Sequence, residues 1–256
     1  MKKYFSIACA ILFSLMIFST VNKKVLACNS NEVQDKAIHP KEVFLTFDDG
    51  PSENNTKEIL KTLKDNNVRA TFFIVGMKSE ENPKMLKELS ESGMSIGIHT
   101  YSHDYKIMYK SLEEYIKDFE KCRTVIRNVT GREPISYIRL PGGSDNLVTS
   151  KSNLESIKKT LNDNGLKYVD WNVCAGDAES TQVTVEKVKN NIISQCKDKN
   201  FAVVLMHDTY YKKFTAEALP EVIKYLQKEG FVFRTFDDLT PSEEDKMVKM
   251  GILNRK

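Results

Sequence analysis

The chain lacks the surplus of charge that a nucleic-acid binder needs: 38 basic and 35 acidic side chains in 256 residues leave a formal net of +3. Even that excess is local. Lys2, Lys3, Lys23 and Lys24 lie in residues 1–27, which hold no acid, so the remainder carries 34 basic against 35 acidic groups, a net of −1. Nucleic acid is therefore excluded as a partner on electrostatic grounds, and recognition has to come from shape and local chemistry. No CxxC pair occurs, which excludes a thiolate zinc knuckle and a dense disulfide scaffold. Of the five cysteines, Cys9 and Cys28 fall in the N-terminal segment; Cys122, Cys174 and Cys196 remain, and one bridge such as Cys174 to Cys196 would be tolerated outside a cell. Internal repeats, low-complexity tracts and Pro/Gly-rich linkers are also missing. With 41% hydrophobic and 29% charged residues, the composition is that of one ordinary globular domain.

The N-terminus sets the expected compartment. Met1-Lys2-Lys3 precedes an uncharged apolar run from Tyr4 to Phe18, and Val25-Leu26-Ala27 supplies small residues before Cys28. A basic end, an apolar core and a small-residue cut site make residues 1–27 a signal peptide, or alternatively an uncleaved membrane anchor. Val-Leu-Ala-Cys also resembles a bacterial lipobox, although Lys23 and Lys24 interrupt that pattern. Residues 28–40 read as a linker.

From residue 43, β-branched or aromatic runs alternate with amphipathic stretches. Strands are expected at 43–47, 70–75, 94–99, 137–140, 167–173, 201–207 and 231–236, with helices at 54–64, 83–92, 112–128, 151–161, 184–196 and 216–228. Gly93, Gly131, Gly165 and Gly230 fall where helix stops are wanted. Such alternation predicts an α/β fold, a distorted (β/α) barrel of about seven parallel strands in a single domain, with a doubly wound sheet as the alternative. Residues 241–256 form a polar tail, either a short helix or a frayed end.

Only four histidines exist, and His99, His103 and His207 all lie at or beyond the C-terminal ends of expected strands. In a barrel that is the face on which active sites are built. Five islands land there: Asp48-Asp49, His99 with His103, Arg139-Leu140-Pro141-Gly142-Gly143, the stretch from Asp170 to Asp177, and Leu205-Met206-His207-Asp208. Asp49-Gly50-Pro51 is also ordinary turn chemistry. Two imidazoles and one carboxylate, however, make a three-ligand hydrolytic metal site, which leaves a second carboxylate and His207 as base and acid.

These islands, in this order, resemble the motifs of the polysaccharide deacetylases, carbohydrate esterase family 4, over roughly residues 40 to 240. The resemblance implies a catalytic domain at 41–240. It makes Asp48 the general base, Asp49, His99 and His103 the ligands of a divalent metal, and His207 the general acid. Arg139 would orient Asp48, the Gly142 N–H would share the oxyanion, and Leu205 would line a pocket for the acetyl methyl. Zinc suits this donor set, as do other divalent ions. The implied reaction is hydrolysis of N-acetyl groups on an extracellular glycan, foremost the N-acetylglucosamine or N-acetylmuramic acid of peptidoglycan. Chitooligosaccharides and acetylated xylan are alternatives, as is a non-catalytic glycan-binding wall protein. The expected protein is exported, bacterial and monomeric, and works at the wall of a Gram-positive cell or on its membrane through the N-terminus.

One island departs from the family pattern. An Asp that orients the acid His is expected, but Tyr168-Val169-Asp170-Trp171-Asn172-Val173-Cys174-Ala175-Gly176-Asp177 aligns in two ways, and neither restores it. Asp177 and Asp170 are both nominated as partners of His207. Trp171 is a candidate sugar contact, as are Tyr210 and Tyr211, with Trp171 also a natural core residue.

Overall fold

The computed structural model describes residues 40–179 and 183–255. The signal or anchor at 1–27 and the linker up to residue 39 lie outside the described residues, as do Cys9, Cys28 and His39. The described residues form one compact unit. No described helix is long and apolar enough to cross a membrane.

The elements alternate along the chain: β1 (Lys41–Asp48), α1 (Asn55–Asp65), β2 (Thr71–Val75), α2 (Gly76–Glu81), α3 (Pro83–Glu91), β3 (Ser95–Thr100), α4 (Tyr105–Met108), α5 (Leu112–Thr130) and β4 (Tyr137–Ile138). They continue with α6 (Lys151–Asp163), β5 (Lys167–Tyr168), β6 (Val173–Cys174), α7 (Val185–Cys196), β7 (Phe201–His207), α8 (Lys213–Lys228), β8 (Phe231–Arg234) and α9 (Pro241–Lys249). The strands form one curled parallel sheet in the order β5-β4-β3-β2-β1-β7-β6, with β8 also paired to β1. This is the expected barrel-like α/β architecture. Eight strands appear instead of seven because the expected strand at 167–173 is interrupted: Asp170 donates its N–H to Ile252, and Asn172 donates to Val203 across the sheet.

Strand periodicity sorts the side chains. In β1, Val43, Leu45 and Phe47 pack in the cluster beneath the helices, whereas Phe44 packs with Phe73, Phe201 and Phe236 in the barrel interior. The period of two therefore carries Thr46 and Asp48 to the same inner face as Phe44. In β7, Phe201 and Val203 are interior and Ala202, Val204 and Met206 lie under the helices, so His207 also falls on the inner side. Asp48 and His207 are register partners at the top of this adjoining strand pair.

Helix ends follow local chemistry. Ser111, Ser150 and Thr184 each accept a bond from a backbone N–H three residues on, and Thr240 forms a capping box with Glu243. The four glycines expected to stop helices do so with φ between 71° and 78°.

Three details depart from the expectations. Two short helices, α2 and α4, were absent from the sequence pattern. Of the two readings of the tail the short helix holds, as α9, and the frayed end does not: Met247, Ile252 and Leu253 are buried in the interior cluster, and Leu253 bridges Val169 in antiparallel fashion along the free edge of β5. Burying each such side chain contributes about 1.5–3 kcal/mol, which outweighs the polar character of the surrounding residues. Finally, Cys122, Cys174 and Cys196 are free thiols. Cys196 is buried among the helices, while Cys174 on β6 accepts from the Gly176 N–H, so the tolerated bridge is not made.

Candidate active site

The five islands converge at the C-terminal mouth of the sheet. Asp49 leaves β1 with φ of 75° and His103 has φ of 52°, both in the left-handed region that few residues other than Gly, Asn, Asp and His adopt. These turns bring Asp49 Oδ1 to 3.3 Å from His99 Nε2 and 3.1 Å from His103 Nε2. All three donor atoms lie within 4.8 Å of one another. Asp118 of α5 secures the segment between the histidines: its carboxylate accepts from Thr100 Oγ1, from the Tyr101 N–H at 2.6 Å and from the Ser102 N–H at 3.1 Å.

The donor set fits a divalent cation. His99 Nδ1 sits 2.7 Å from the Arg139 carbonyl, which can only accept, so Nδ1 carries a proton and Nε2 is the ring nitrogen turned toward Asp49, where it can serve as a ligand. Asp49 Oδ1 is itself buried without a hydrogen-bond donor. Two acceptors facing each other in a buried site repel unless a positive charge lies between them. Burial would raise the Asp49 carboxyl, but positive charge on the neighbouring His103 and His99 rings holds it well below the usual carboxylate range.

Beside the triad, Arg139 is fully buried. Its Nη1 donates to Asp48 Oδ1 at 3.0 Å and to Thr46 Oγ1 at 2.6 Å, Nε donates to the Val169 carbonyl, and Nη2 to that of Asp170. The guanidinium carbon stacks 4.5 Å above the Phe73 ring. Asp48 is thus held by a buried, charge-assisted bond.

His207 at the end of β7 is partnered by Asp177, not Asp170. Its Nδ1 lies 2.8 Å from Asp177 Oδ1, and its backbone N–H donates to Asp177 Oδ2. Thr215 Oγ1 also donates to that carboxylate, and Lys212 Nζ donates to the Asp177 carbonyl. Burial pulls the His207 pKa down, but the bond and charge of Asp177 and the charges of Asp49 and Asp48 prevail, raising it to about 9. The Asp170 carboxylate instead accepts from the N–H and hydroxyl of Ser144, so it pins the loop that follows Arg139.

That loop is a tight turn. Gly143 donates to the Leu140 carbonyl, Pro141 occupies the second position, and Gly142, with φ of 81°, the third, the pattern of a type II turn. Among the described residues no acceptor takes the Gly142 N–H. Leu205 is buried on the inner face of β7. Trp171 stands behind the turn, packed on the interior cluster with the Arg139 guanidinium 5.6 Å from its ring, which places it as support for that loop.

Three contributors were given no role by the sequence pattern. Thr46 is a polar residue in an apolar strand, and Asp118 lies on the buried stripe of α5 with Tyr115, Phe119 and Cys122; in each case a polar side chain on an apolar face was the available signal. Asp208 is the third. It is fully buried, accepts from Thr56 Oγ1 at 2.5 Å, and leaves Oδ1 without a partner. Burial pushes its carboxyl up to about 7 against the bond from Thr56, aided by the charges of Asp49 and Asp48.

Similarity to known proteins agrees with this geometry. Residues 35–169 match the family model described as polysaccharide deacetylase. A peptidoglycan-N-acetylglucosamine deacetylase, PgdA of Listeria monocytogenes, is 32% identical over 225 residues, covering 87% of this chain and 44% of the relative, so the chain spans less than half the length of that protein. The peptidoglycan-N-acetylmuramic acid deacetylase PdaA of Bacillus subtilis is 28% identical, covering 81% of this chain and 74% of the relative. Among solved structures, the catalytic domain of a peptidoglycan N-acetylglucosamine deacetylase from Eubacterium rectale superposes with a TM-score of 0.72 at 35% identity, covering 80% of this chain and 91% of that one. With more than half the chain inside the family model and the same fold at that identity, the chain belongs to the polysaccharide deacetylase family.

Proposed function

We propose that this chain is a metal-dependent hydrolase that removes N-acetyl groups from an extracellular glycan, and that its substrate is the N-acetylglucosamine or N-acetylmuramic acid of peptidoglycan. The observation that carries the proposal is the pairing of two separately oriented proton-transfer groups, Asp48 held by Arg139 and His207 held by Asp177, around one triad of metal-ligand type. The names of the Listeria, Bacillus and Eubacterium relatives support the polymer.

Asp49, His99 and His103 would hold the ion, and zinc suits their two nitrogens and one oxygen. When bound, such an ion supplies Lewis-acid polarisation of the acetyl carbonyl and lowers the pKa of water toward about 7. Asp48 takes the proton of the attacking water, since its position is fixed by a buried guanidinium and its carboxylate reaches the same mouth as the triad. The Gly142 N–H donates to the oxygen on which negative charge develops. His207 then delivers its proton to the departing nitrogen. The acetyl C–N bond breaks, water adds across it, and acetate and a free amine remain. Asp177 keeps His207 charged until that transfer, and Leu205 offers an apolar surface to the methyl group.

The Asp177 to His207 bond supports a catalytic reading over a non-catalytic glycan-binding protein. Export through residues 1–27 and action at the wall of a Gram-positive cell complete the proposal. The test is acetate release from purified peptidoglycan by the full chain, with and without chelator, beside Asp48→Asn. Release that the chelator and the substitution both abolish is expected. No release from peptidoglycan, chitooligosaccharides or acetylated xylan by metal-loaded protein would sink the proposal.

A further inference from the structure

The loop at 141–149, which follows Arg139, contains neither helix nor strand, and its Gly142 and Gly143 have φ of 81° and 88°. Glycine reaches that region freely and leaves it as freely, so the pair does not by itself fix the direction of the Gly142 N–H. Apolar burial does not fix it either, since Leu147 is 97% exposed. Hydrogen bonds tie the loop down from two sides. On one side Tyr109 Oη donates to the Pro141 carbonyl at 2.9 Å and Asn146 Nδ2 to that of Gly143 at 2.8 Å. On the other stands Asp170, with its two bonds from Ser144.

Asp170 is almost wholly buried, and a buried carboxylate needs a countercharge. Arg139 does not supply it at the carboxylate, because its Nη2 donates to the Asp170 carbonyl. Among the described residues the cation paired with this carboxylate is Arg255, whose Nε lies 3.3 Å from Asp170 Oδ2. The same guanidinium donates from Nη1 to Asp145 Oδ2 at 2.8 Å, within the loop itself. One side chain of the tail thus grips the loop directly and also grips the carboxylate that pins it.

An exposed Arg–Asp pair alone holds little, because two long side chains must be ordered to make it. Here the ordering is done by the tail. Asp170 donates its N–H to the Ile252 carbonyl at 2.7 Å, Asn254 exchanges bonds with the Tyr168 backbone through its N–H and its side-chain oxygen, and Tyr168 Oη donates to the Arg255 carbonyl. Arg255 Nε donates to the Gly251 carbonyl at 2.9 Å, which curls the side chain back toward Asp170.

Resting on the deacetylase function above, we propose that Arg255 is a positioning residue for that reaction: through Asp170 and Asp145 it holds the loop so that the Gly142 N–H points to where the oxyanion develops. Such a donor works only when it is aimed in advance, and a supporting shell that lets it drift forfeits much of its effect. Arg255 touches no substrate, so its influence falls on the rate of the chemical step and not on binding.

Trp171 is the only tryptophan of the chain, and its ring lies against the loop, where a methyl group on Gly143 would stand 3.3 Å away. Its fluorescence therefore reports on the loop without any reaction. The experiment compares wild type with Arg255→Met, Arg255→Lys and Asp145→Asn, for kcat and KM of acetate release from soluble peptidoglycan glycan strands and for acrylamide quenching of Trp171 well below the unfolding temperature. Arg255→Met should lower kcat by about five- to fiftyfold, short of the hundred- to thousandfold of a donor removed outright, leave KM in place and increase the quenching. Arg255→Lys, which keeps the charge but loses the fork, should recover part of both. Asp145→Asn, at an exposed position where folding is not at risk, removes one of the two grips and should lower kcat by less. A merely structural role would lower the unfolding temperature while kcat and quenching stay at wild-type values, and either of these unchanged in Arg255→Met would overturn the assignment, as would a loss confined to KM. A wild-type chain that releases no acetate would count against the hydrolase instead. The quenching comparison then decides on its own whether Arg255 holds the loop, and equal quenching overturns that hold.

Discussion

Arg139 and His99 meet through the carbonyl of one and Nδ1 of the other, 2.7 Å apart, while the guanidinium of the same arginine reaches Asp48. One residue thus sets the tautomer of a candidate metal ligand with its backbone and the position of the proposed base with its side chain. The backbone contact survives any substitution at position 139, but the guanidinium does not. Arg139→Met is expected to leave Asp48 as an uncompensated buried charge and to cost about 3–5 kcal/mol, measured by urea unfolding. Metal affinity should fall much less than stability, because the carbonyl stays.

The bond between His207 and Asp177 makes stability depend on pH. The folded-state pKa of His207 is raised from 6.5 to about 9, so the stabilisation is fully present below the lower value and is lost as pH rises through the upper one. In metal-free protein, the stability difference between wild type and Asp177→Asn should shrink across that window, by about 3 kcal/mol at most. In loaded enzyme the alkaline limb of kcat/KM should fall below the upper end of this window, because a cation at Asp49 opposes protonation of His207, and Asp177→Asn should lower it further. A limb that Asp177→Asn leaves in place would exclude His207 as the acid.

Asp208 gives a slope of the same sign in a more acidic window. With its carboxyl raised from 3.8 to about 7, the folded state holds a proton that the unfolded chain has shed, so stability falls as pH rises between those values. Asp208→Asn should flatten that slope and stabilise the metal-free protein above pH 7, by about 4 kcal/mol at most. Thermal unfolding across the pH range checks it.

Gly50 is fixed by its neighbour, since a methyl group there would lie 2.2 Å from Asp208 Oδ2. Gly50→Ala should cost about 1–3 kcal/mol through overpacking and displace Asp49. Pairing it with Asp208→Ala should recover part of the loss, as a double-mutant cycle would reveal.

Zinc should stabilise the wild-type chain by about 2.7 kcal/mol when free metal exceeds its dissociation constant a hundredfold. Asp49→Ala and His99→Ala should each abolish that gain in thermal shift. An unchanged shift in both would mean that the ion binds elsewhere.

Much of the site was legible in the sequence because its residues sit at strand ends, and strand ends follow from hydrophobic runs. Asp48, His99 and His207 could be placed on one face in this way before any contact was known. The choice between Asp177 and Asp170 could not, because it depends on where the chain goes after the strand at 167–173 breaks, and that break is caused by Ile252, far along the sequence. Tertiary context likewise decided the short helices: α4 starts on an Asp104 cap and buries only Met108, too little to leave a periodic pattern. In the tail, three apolar side chains among charged ones gave no sign that they would fill the barrel interior.

The register of Asp48 against His207 has a further meaning. Adjacent strands are spaced about 4.7–4.9 Å apart by their backbone ladder, so the gap between the proposed proton acceptor and donor is a lattice constant of the sheet, like the fixed jaws of a caliper. Loops around the mouth can lengthen, shorten or change composition to suit a new polymer, and the calibration of the two jaws is inherited intact.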